Sequence, residues 1–271
     1  MRHMKVAAVQ LNAQDDKEQN LKQAFALVHQ AAQAKAELIA LPEVFHFRGK
    51  VPQEQLYQQI AENIPGRSTT PFLQLARDKK VYILLGSIYE WRKKKNKISN
   101  TSILIDPRGK ILARYRKIHL FDAVVNKKVI RESKNFLPGR QLAMAKVKNF
   151  NLGLTICYDL RFSNLYRRYS QKGCDIIAVP SSFTKKTGTA HWEILLRARA
   201  IETLSYVIAP NQVGKDRRGI ETYGHSMIVS PWGEILAKAS ADKTEIIYAE
   251  LKKSYVEEVR KIFLNRRRRY E

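Results

Sequence analysis

A cysteine stands at the end of an apolar run in this chain. Leu152 to Ile156 reads as a buried strand, and Cys157 follows it directly, ahead of Tyr158, Asp159, Leu160, Arg161 and Phe162. A thiol at a strand terminus can project into a cleft. A tight turn into a helix would aim the next backbone N–H groups at the same point, where a nucleophile and part of an oxyanion hole are expected. A structural cysteine acting as a small hydrophobe fits this one segment equally well. Glu43 ends another short apolar segment, in Leu41-Pro42-Glu43-Val44-Phe45. A carboxyl group held partly out of water by such neighbours suits general-base work near neutrality; an ordinary loop acid is the alternative. Lys117 lies in Tyr115-Arg116-Lys117-Ile118-His119-Leu120-Phe121-Asp122. Turned inward beside a carboxylate, its ammonium would stay charged and could stabilise an oxyanion. Taken alone, in a chain so rich in lysine, it reads as a surface residue.

Other chemistries lack their residues. There is no glycine-rich phosphate loop, and the spacing of Cys157 and Cys174 matches no zinc pattern or disulfide framework. No metal and no cofactor is expected. His191 or His225 could in principle pair with Cys157, but the residues around that cysteine carry no papain-like signature. Cys174, leading into a buried strand, reads as structural.

The elements that would position these side chains alternate in type. Lys5–Leu11 reads as a strand, followed by a helix with Leu21, Ala24, Phe25, Val28, Ala31 and Ala32 on one face. Glu37–Leu41 is a strand stopped by Pro42, Phe72–Asp78 a helix, and Val81–Tyr89, Thr101–Ile105 and Ile111–Tyr115 strands of an antiparallel meander. Asp106-Pro107-Arg108-Gly109 is a turn within it. Asn151–Ile156 ends at the cysteine. Leu165–Gln171 is helical and stopped by Gly173, Asp175–Val179 is a strand, and Ala190–Thr203 is a helix with Ile194, Ala198 and Ile201 in one apolar stripe. Tyr206–Ala209, His225–Ser230, Glu234–Ala237 and Glu245–Ala249 are strands, and Lys253–Phe263 a final helix. Hairpins among crossover helices predict a layered, sheet-rich α/β protein, not a simple doubly wound sheet. With no linker and no repeat of obvious period, residues 1–271 read as one domain, 251–271 being its last helix and a basic tail.

The chain is 44% hydrophobic over 271 residues, ample for a large core. The opening residues hold no signal-peptide core, and no stretch approaches ~20 apolar residues. With two cysteines only, the expectation is a cytoplasmic protein without membrane spans. The charge is unusual: 49 Lys+Arg against 25 Asp+Glu give +24. Nucleic acid, acidic lipid or anionic small molecules could all answer to it. However, the basic residues are scattered, and the two dense runs, Arg92–Lys95 and Arg266–Arg269, read as a solvated hairpin tip and a tail. Neither interleaves aromatic residues as a single-strand binder does. Nucleic acid is therefore not the expected partner.

Three segments, Leu-Pro-Glu at 41–43, Arg-Lys-Ile-His-Leu-Phe-Asp at 116–122 and Ile-Cys-Tyr-Asp-Leu-Arg-Phe at 156–162, occur in the order and spacing of the nitrilase superfamily of carbon–nitrogen hydrolases. The resemblance runs from Val6 to the final helix. It implies a four-layer α-β-β-α sandwich and a triad of Glu43 as general base, Lys117 as cationic stabiliser and Cys157 as nucleophile. Glu132, in Glu-Ser-x-x-x-x-x-Gly, matches the family's second active-site glutamate. The Tyr158 N–H would join Lys117 in holding the oxyanion. Homodimers or larger assemblies are implied, formed through the helix-bearing face near the nucleophile. The segments at 190–202, 223–227 and 231–233 resemble the branch holding omega-amidases and deaminated-glutathione amidases, in wording nearer the latter. A small amide bearing a carboxylate is then the expected substrate, cleaved through a thioester. Arg161, Lys185 and Arg199 are candidates to bind that carboxylate, with a structural ion pair an equal reading for Arg199.

Ser163-Asn164 replaces the usual Pro-Glu, Val125-Asn126-Lys127-Lys128 stands where a Pro-Gly pair is common, and Ser230 replaces an aspartate before Pro-Trp-Gly. A nitrile, a carbamoyl amine or an acyl transfer on the same triad remains open. So does, from another class, a basic nucleic-acid-binding protein on the same scaffold without turnover.

Overall fold

The computed structural model describes residues 3–50, 53–125 and 128–263. The arginine run at 266–269, and Asn126 and Lys127 of the altered loop, lie outside the described residues. In chain order, β1 (His3–Gln10), β2 (Leu38–Ala40), β3 (Tyr82–Arg92), β4 (Lys97–Ile105) and β5 (Ile111–Arg116) enter one sheet, and β6 (Asp122–Val125) and β7 (Lys128–Arg131) form a hairpin. A second sheet takes β8 (Met144–Val147), β9 (Phe150–Leu154), β10 (Ile176–Ala178) and β11 (Tyr206–Ala209). After the hairpin of β12 (Val213–Lys215) and β13 (Glu221–Tyr223), it adds β14 (Met227–Val229) and β15 (Ile235–Lys238). β16 (Glu245–Lys252) returns to pair with β1, from His3↔Lys252 to Gln10↔Glu245. The helices are α1 (Lys17–Gln33), α2 (Gln53–Gln55) running into a π-helical turn at Leu56–Ile60, α3 (Thr70–Lys79), α4 (Ser163–Gln171), α5 (Lys185–Thr203) and α6 (Lys253–Ile262).

The two six-stranded sheets share one plan. Their orders are β16-β1-β2-β3-β4-β5 and β8-β9-β10-β11-β14-β15. Each has three parallel strands at its centre, β1-β2-β3 and β9-β10-β11, with antiparallel strands outside them. Parallel strands need crossovers. α1 and α3 serve the first sheet, and α4 and α5 the second. Period-two side chains then feed two cores from one strand. In β1, Met4, Val6 and Ala8 face the other sheet, meeting Leu152, Leu154, Ile176 and Ile208. Ala7 and Val9 face out onto Ala24, Val28, Ala31, Phe72 and Leu75 of α1 and α3. Ile177, Val179, Val207 and Ala209 pack against Tyr166, Tyr169, Trp192 and Leu196 of α4 and α5. The layers are thus α-β-β-α, as the resemblance implied.

Some local expectations need correction. Three short pairings escaped the sequence reading: β6–β7, β12–β13 and the edge strand β8, each too brief or too polar to show alternation. The stripe Ile194, Ala198, Ile201 does not face the core. Ile194 and Ile201 are 69% and 48% exposed, while Trp192, Leu196, Arg199, Ala200 and Thr203 point inward. At Ser230 the hydroxyl accepts from the Trp232 and Glu234 N–H groups, both at 3.2 Å, so serine caps the turn itself. Ser163 and Asn164 are exposed at the start of α4. No helix among the described residues is long and apolar enough to cross a membrane.

One glycine fixes the loop after β2. A Cβ on Gly86 of β3 would lie 2.1 Å from the Leu41 carbonyl oxygen and 2.2 Å from that of Pro42. Only a residue without a side chain lets the segment carrying Glu43 lie so close. Gly86→Ala is expected to cost about 3 kcal/mol, the upper end of ordinary overpacking, measured by urea unfolding; an unchanged midpoint would show that the loop can retreat freely.

Candidate active site

The chemistry gathers at the C-terminal ends of strands, where crevices form in open α/β sheets. Glu43 follows β2, Lys117 follows β5, Glu132 follows β7, and Cys157 lies three residues beyond β9. Lys117 is 3% exposed, and its backbone is pinned on both sides: its N–H donates to Asn100 O and its carbonyl accepts from the Gly139 N–H, each at 2.8 Å. Its Nζ donates to Glu43 Oε1 and pairs with Glu132 Oε2, both at 2.9 Å. The side-chain amide of Asn100, on β4, donates to the same two residues, to Glu43 Oε1 at 2.9 Å and Glu132 Oε1 at 3.2 Å. One backbone N–H completes each carboxyl group: Ser182 to Glu43 Oε2 at 2.9 Å, and Phe121 to Glu132 Oε2 at 2.7 Å.

Cys157 enters from the other sheet. Its backbone is left-handed, with φ 45°, and its N–H donates to Pro180 O at 2.9 Å. The thiol is within hydrogen-bonding reach of Glu43 and of the Ser182 N–H. Burial pushes its pKa well above the ordinary cysteine range, and the charge of Glu43 pushes the same way, while Lys117 opposes. Burial alone would lower the pKa of Lys117. The charges of Glu132, Glu43 and Cys157 outweigh it and hold the ammonium well above the ordinary lysine range. The arrangement sets a thiol of raised pKa beside a carboxyl group, with a fixed cation next to it. Such a pairing can activate a nucleophile by proton transfer.

Asp159 holds the turn. Fully buried, it accepts from the Ile156 N–H at 3.0 Å, the Tyr115 hydroxyl at 2.7 Å and the His119 N–H at 3.0 Å, and its Oδ1 lies 2.7 Å from His119 Nδ1. It therefore bolts the nucleophile turn to the Lys117 segment. Sequence reasoning missed Asp159, Asn100 and Ser182. Asp159 was visible as an acid inside the cysteine segment, and Asn100 as an amide in the middle of an otherwise strand-like run.

The sulfur opens onto a narrow cavity of about 30 Å³ lined by Phe121, Tyr158, Arg161, Phe183 and Thr187 among others. Arg161 lies over the rings of Tyr158 and Phe183, 5.9 and 5.3 Å from their centroids, and its guanidinium meets His191 Nδ1 at 3.3 Å. Among the described residues no carboxylate pairs with it. The other two basic candidates are not in this cavity. Lys185 reaches outward to Glu221 Oε1 at 2.6 Å, with both side chains about half exposed. Arg199 is buried and structural: its Nε donates to Leu160 O at 2.9 Å, and its Nη1 pairs with Glu202 at 3.0 Å, one turn along α5. His225 Nδ1 sits on the Tyr223 carbonyl at 2.8 Å, so neither histidine is paired with the thiol. Cys174 is buried, and burial pushes its pKa up to about 12. No group of three His, Cys, Asp or Glu among the described residues could hold a metal ion.

Comparison with known proteins places the chain in a family. Omega-amidase NIT2 of Xenopus tropicalis is 37% identical over 273 residues, covering 100% of this chain and 97% of the relative. Nit3 of Saccharomyces cerevisiae, a member of branch 10 of the nitrilase superfamily, superposes with a TM-score of 0.87 at 33% identity, covering 99% of this chain and 97% of that one. The C. elegans NitFhit protein gives 0.90 at 33% identity, covering 98% of this chain, which spans only 65% of that longer protein. The profile described as carbon-nitrogen hydrolase matches residues 5–261, and with these relatives it shows that the chain belongs to the carbon–nitrogen hydrolases of the nitrilase superfamily.

Proposed function

We propose that this carbon–nitrogen hydrolase cleaves the amide of a small carboxylate-bearing substrate, with the omega-amide of a 2-oxo acid as the first candidate, through a thioester on Cys157. The observation that carries the reading is the meeting of Lys117 with Glu43 and Glu132 at 2.9 Å each, beside the thiol. Glu43 takes the thiol proton as sulfur attacks the carbonyl carbon. Lys117 and the Tyr158 N–H, in the first turn after the strand, hold the oxyanion. Glu43 returns the proton to the leaving ammonia, then activates the water that hydrolyses the thioester. Glu132 keeps Lys117 in place. The omega-amidase name of the Xenopus relative supports the substrate class. So does Arg161, a guanidinium that lines the cavity beside Cys157 with aromatic faces around it.

We read the chain as one domain, since β16 closes the sheet that β1 opens. The free thiols Cys157 and Cys174 support a cytoplasmic setting. A homodimer is supported by the outward stripe of α5, the helix after β10, where Ile194 and Ile201 lie exposed.

Three outcomes are expected. In an ammonia-release screen, 2-oxoglutaramate, 2-oxosuccinamate and deaminated glutathione should outrun simple nitriles and N-carbamoyl amino acids. Cys157→Ala and Lys117→Ala should be inactive but folded, and Arg161→Ala should raise KM about 10- to 100-fold for carboxylate-bearing amides, the loss of one charged hydrogen-bond pair. Full activity in Cys157→Ala would end the assignment. Iodoacetamide labelling of Cys157, followed by peptide mapping, should inflect above the ~8.5 of a free cysteine. Glu43→Gln should move that inflection down by removing the charge that raises it, and Lys117→Met should move it up; an acidic wild-type inflection would instead mean a standing thiolate. Light scattering should give a dimer that Ile194→Glu with Ile201→Glu converts to monomer.

A further inference from the structure

A second concavity lies on the reverse face of the strands that carry Lys117 and Asn100. It encloses about 480 Å³ and is lined by Arg92, Lys95, Arg114, Arg116 and Arg140, together with the Leu137–Leu142 segment. Neighbouring side chains in a strand point to opposite faces. Lys117 and Asn100 serve the catalytic cluster; Arg116 and Ser99, next to them, turn the other way. Behind the cations stands one buried carboxylate. Glu90 takes both forks of Arg116, at 2.6 and 2.7 Å, and Arg114 Nη1 at 3.3 Å. Two arginines on β5 are thereby held rigid by a single negative charge. Arg92 donates to the Ser99 hydroxyl at 3.3 Å, and that hydroxyl donates to Leu137 O at 3.2 Å, so this third guanidinium is tied to neutral groups. Lys95 and Arg140 have no acidic partner among the described residues. The opposite wall is close: a Cβ on Gly139 would lie 2.1 Å from Arg116 O.

Five cations against one carboxylate, around a walled cavity on a rigid strand pair, are more than solvation of a hairpin tip requires. Like charges gathered so closely repel unless an anion joins them. Guanidinium forks match phosphate oxygens two at a time. We infer that this groove binds a small, multiply charged phosphorylated anion, independently of the amidase cavity. The five cations gather in one concavity without aromatic side chains for base stacking among its described lining residues, which favours a compact anion over a single-stranded nucleic acid.

Tripolyphosphate, titrated calorimetrically into the full-length protein at 50 mM and 200 mM salt, is the probe. A saturable, salt-sensitive site at one per chain is expected. It should weaken at least tenfold in Arg92→Ala/Arg140→Ala, a pair on the surface whose melting curve checks the fold. Arg116→Lys, which keeps the charge but loses the two-point clamp on Glu90, should weaken binding relative to wild type, though less than that pair does. No binding, binding unchanged in the double variant, or binding only of a single-stranded oligonucleotide would each overturn the proposal.

Discussion

A lysine ammonium cannot sit in a protein interior unless its charge is answered there, and that requirement organises this molecule. Lys117 is 3% exposed. Isolated, such a charge would cost several kcal/mol even after relaxation. Glu43 and Glu132 answer it from opposite sides, and Asn100 repeats the same bridge with a neutral amide. The orientation of that amide follows from charge, because turning its oxygen toward two carboxyl groups would be repulsive. Both amide hydrogens thus serve the acids, and Asn100 Oδ1 has no hydrogen-bond partner among the described residues.

This cluster belongs to one sheet, and the nucleophile belongs to the other. The sandwich joins them at the strand ends, and Asp159 closes the joint. It reaches from the turn after β9 to Tyr115 on β5 and to the backbone of His119, two residues past the lysine. Ser182 makes a second bridge, its one N–H serving Glu43 and lying within reach of the thiol. Gln212 adds a third, its Nε2 donating to Glu43 O at 2.9 Å, so the relative position of Glu43, Lys117 and Cys157 depends on several short hydrogen-bonded crossings and not on any single loop.

Much of this was legible in the residues. Glu43 and Cys157 each follow an element whose apolar run stops, and that local signature survives in sequence; Lys117 and Glu132 were legible only through the resemblance of the segments that hold them. Asn100 was not legible, because a polar residue in a strand ordinarily faces water. Here the whole Ser99–Ser102 stretch is buried, under a segment 32 to 38 residues away that carries Glu132 and Leu137. Lys185 misled because charge and proximity to the cavity residues Thr184 and Thr187 say nothing of direction, and a surface acid drew it outward. Arg199 takes the structural reading set beside the functional one: its head is spent on Leu160 O and Glu202. On α5 the periodicity was right and the face wrong. The helix carries two apolar stripes, and amphipathic spacing cannot say which one meets the core when the other is reserved for a different surface.

The backbone itself shows where the fold spends stability. Val44 and Cys157 sit at φ 51° and 45°, a region disfavoured for residues with a Cβ and most of all for a β-branched valine. One follows the base and the other is the sulfur. Each is pinned by a donated hydrogen bond, Val44 N–H to the Ser87 hydroxyl and Cys157 N–H to Pro180 O, both at 2.9 Å. Strain of this kind persists only where the surroundings over-determine it. Relaxing Cys157 to ordinary strand geometry would swing the sulfur back along the line of β9 and away from Glu43. The left-handed turn is therefore the step that brings the sulfur from a strand end to the Glu43–Lys117 cluster, and the buried Asp159, two residues later, is what keeps it turned.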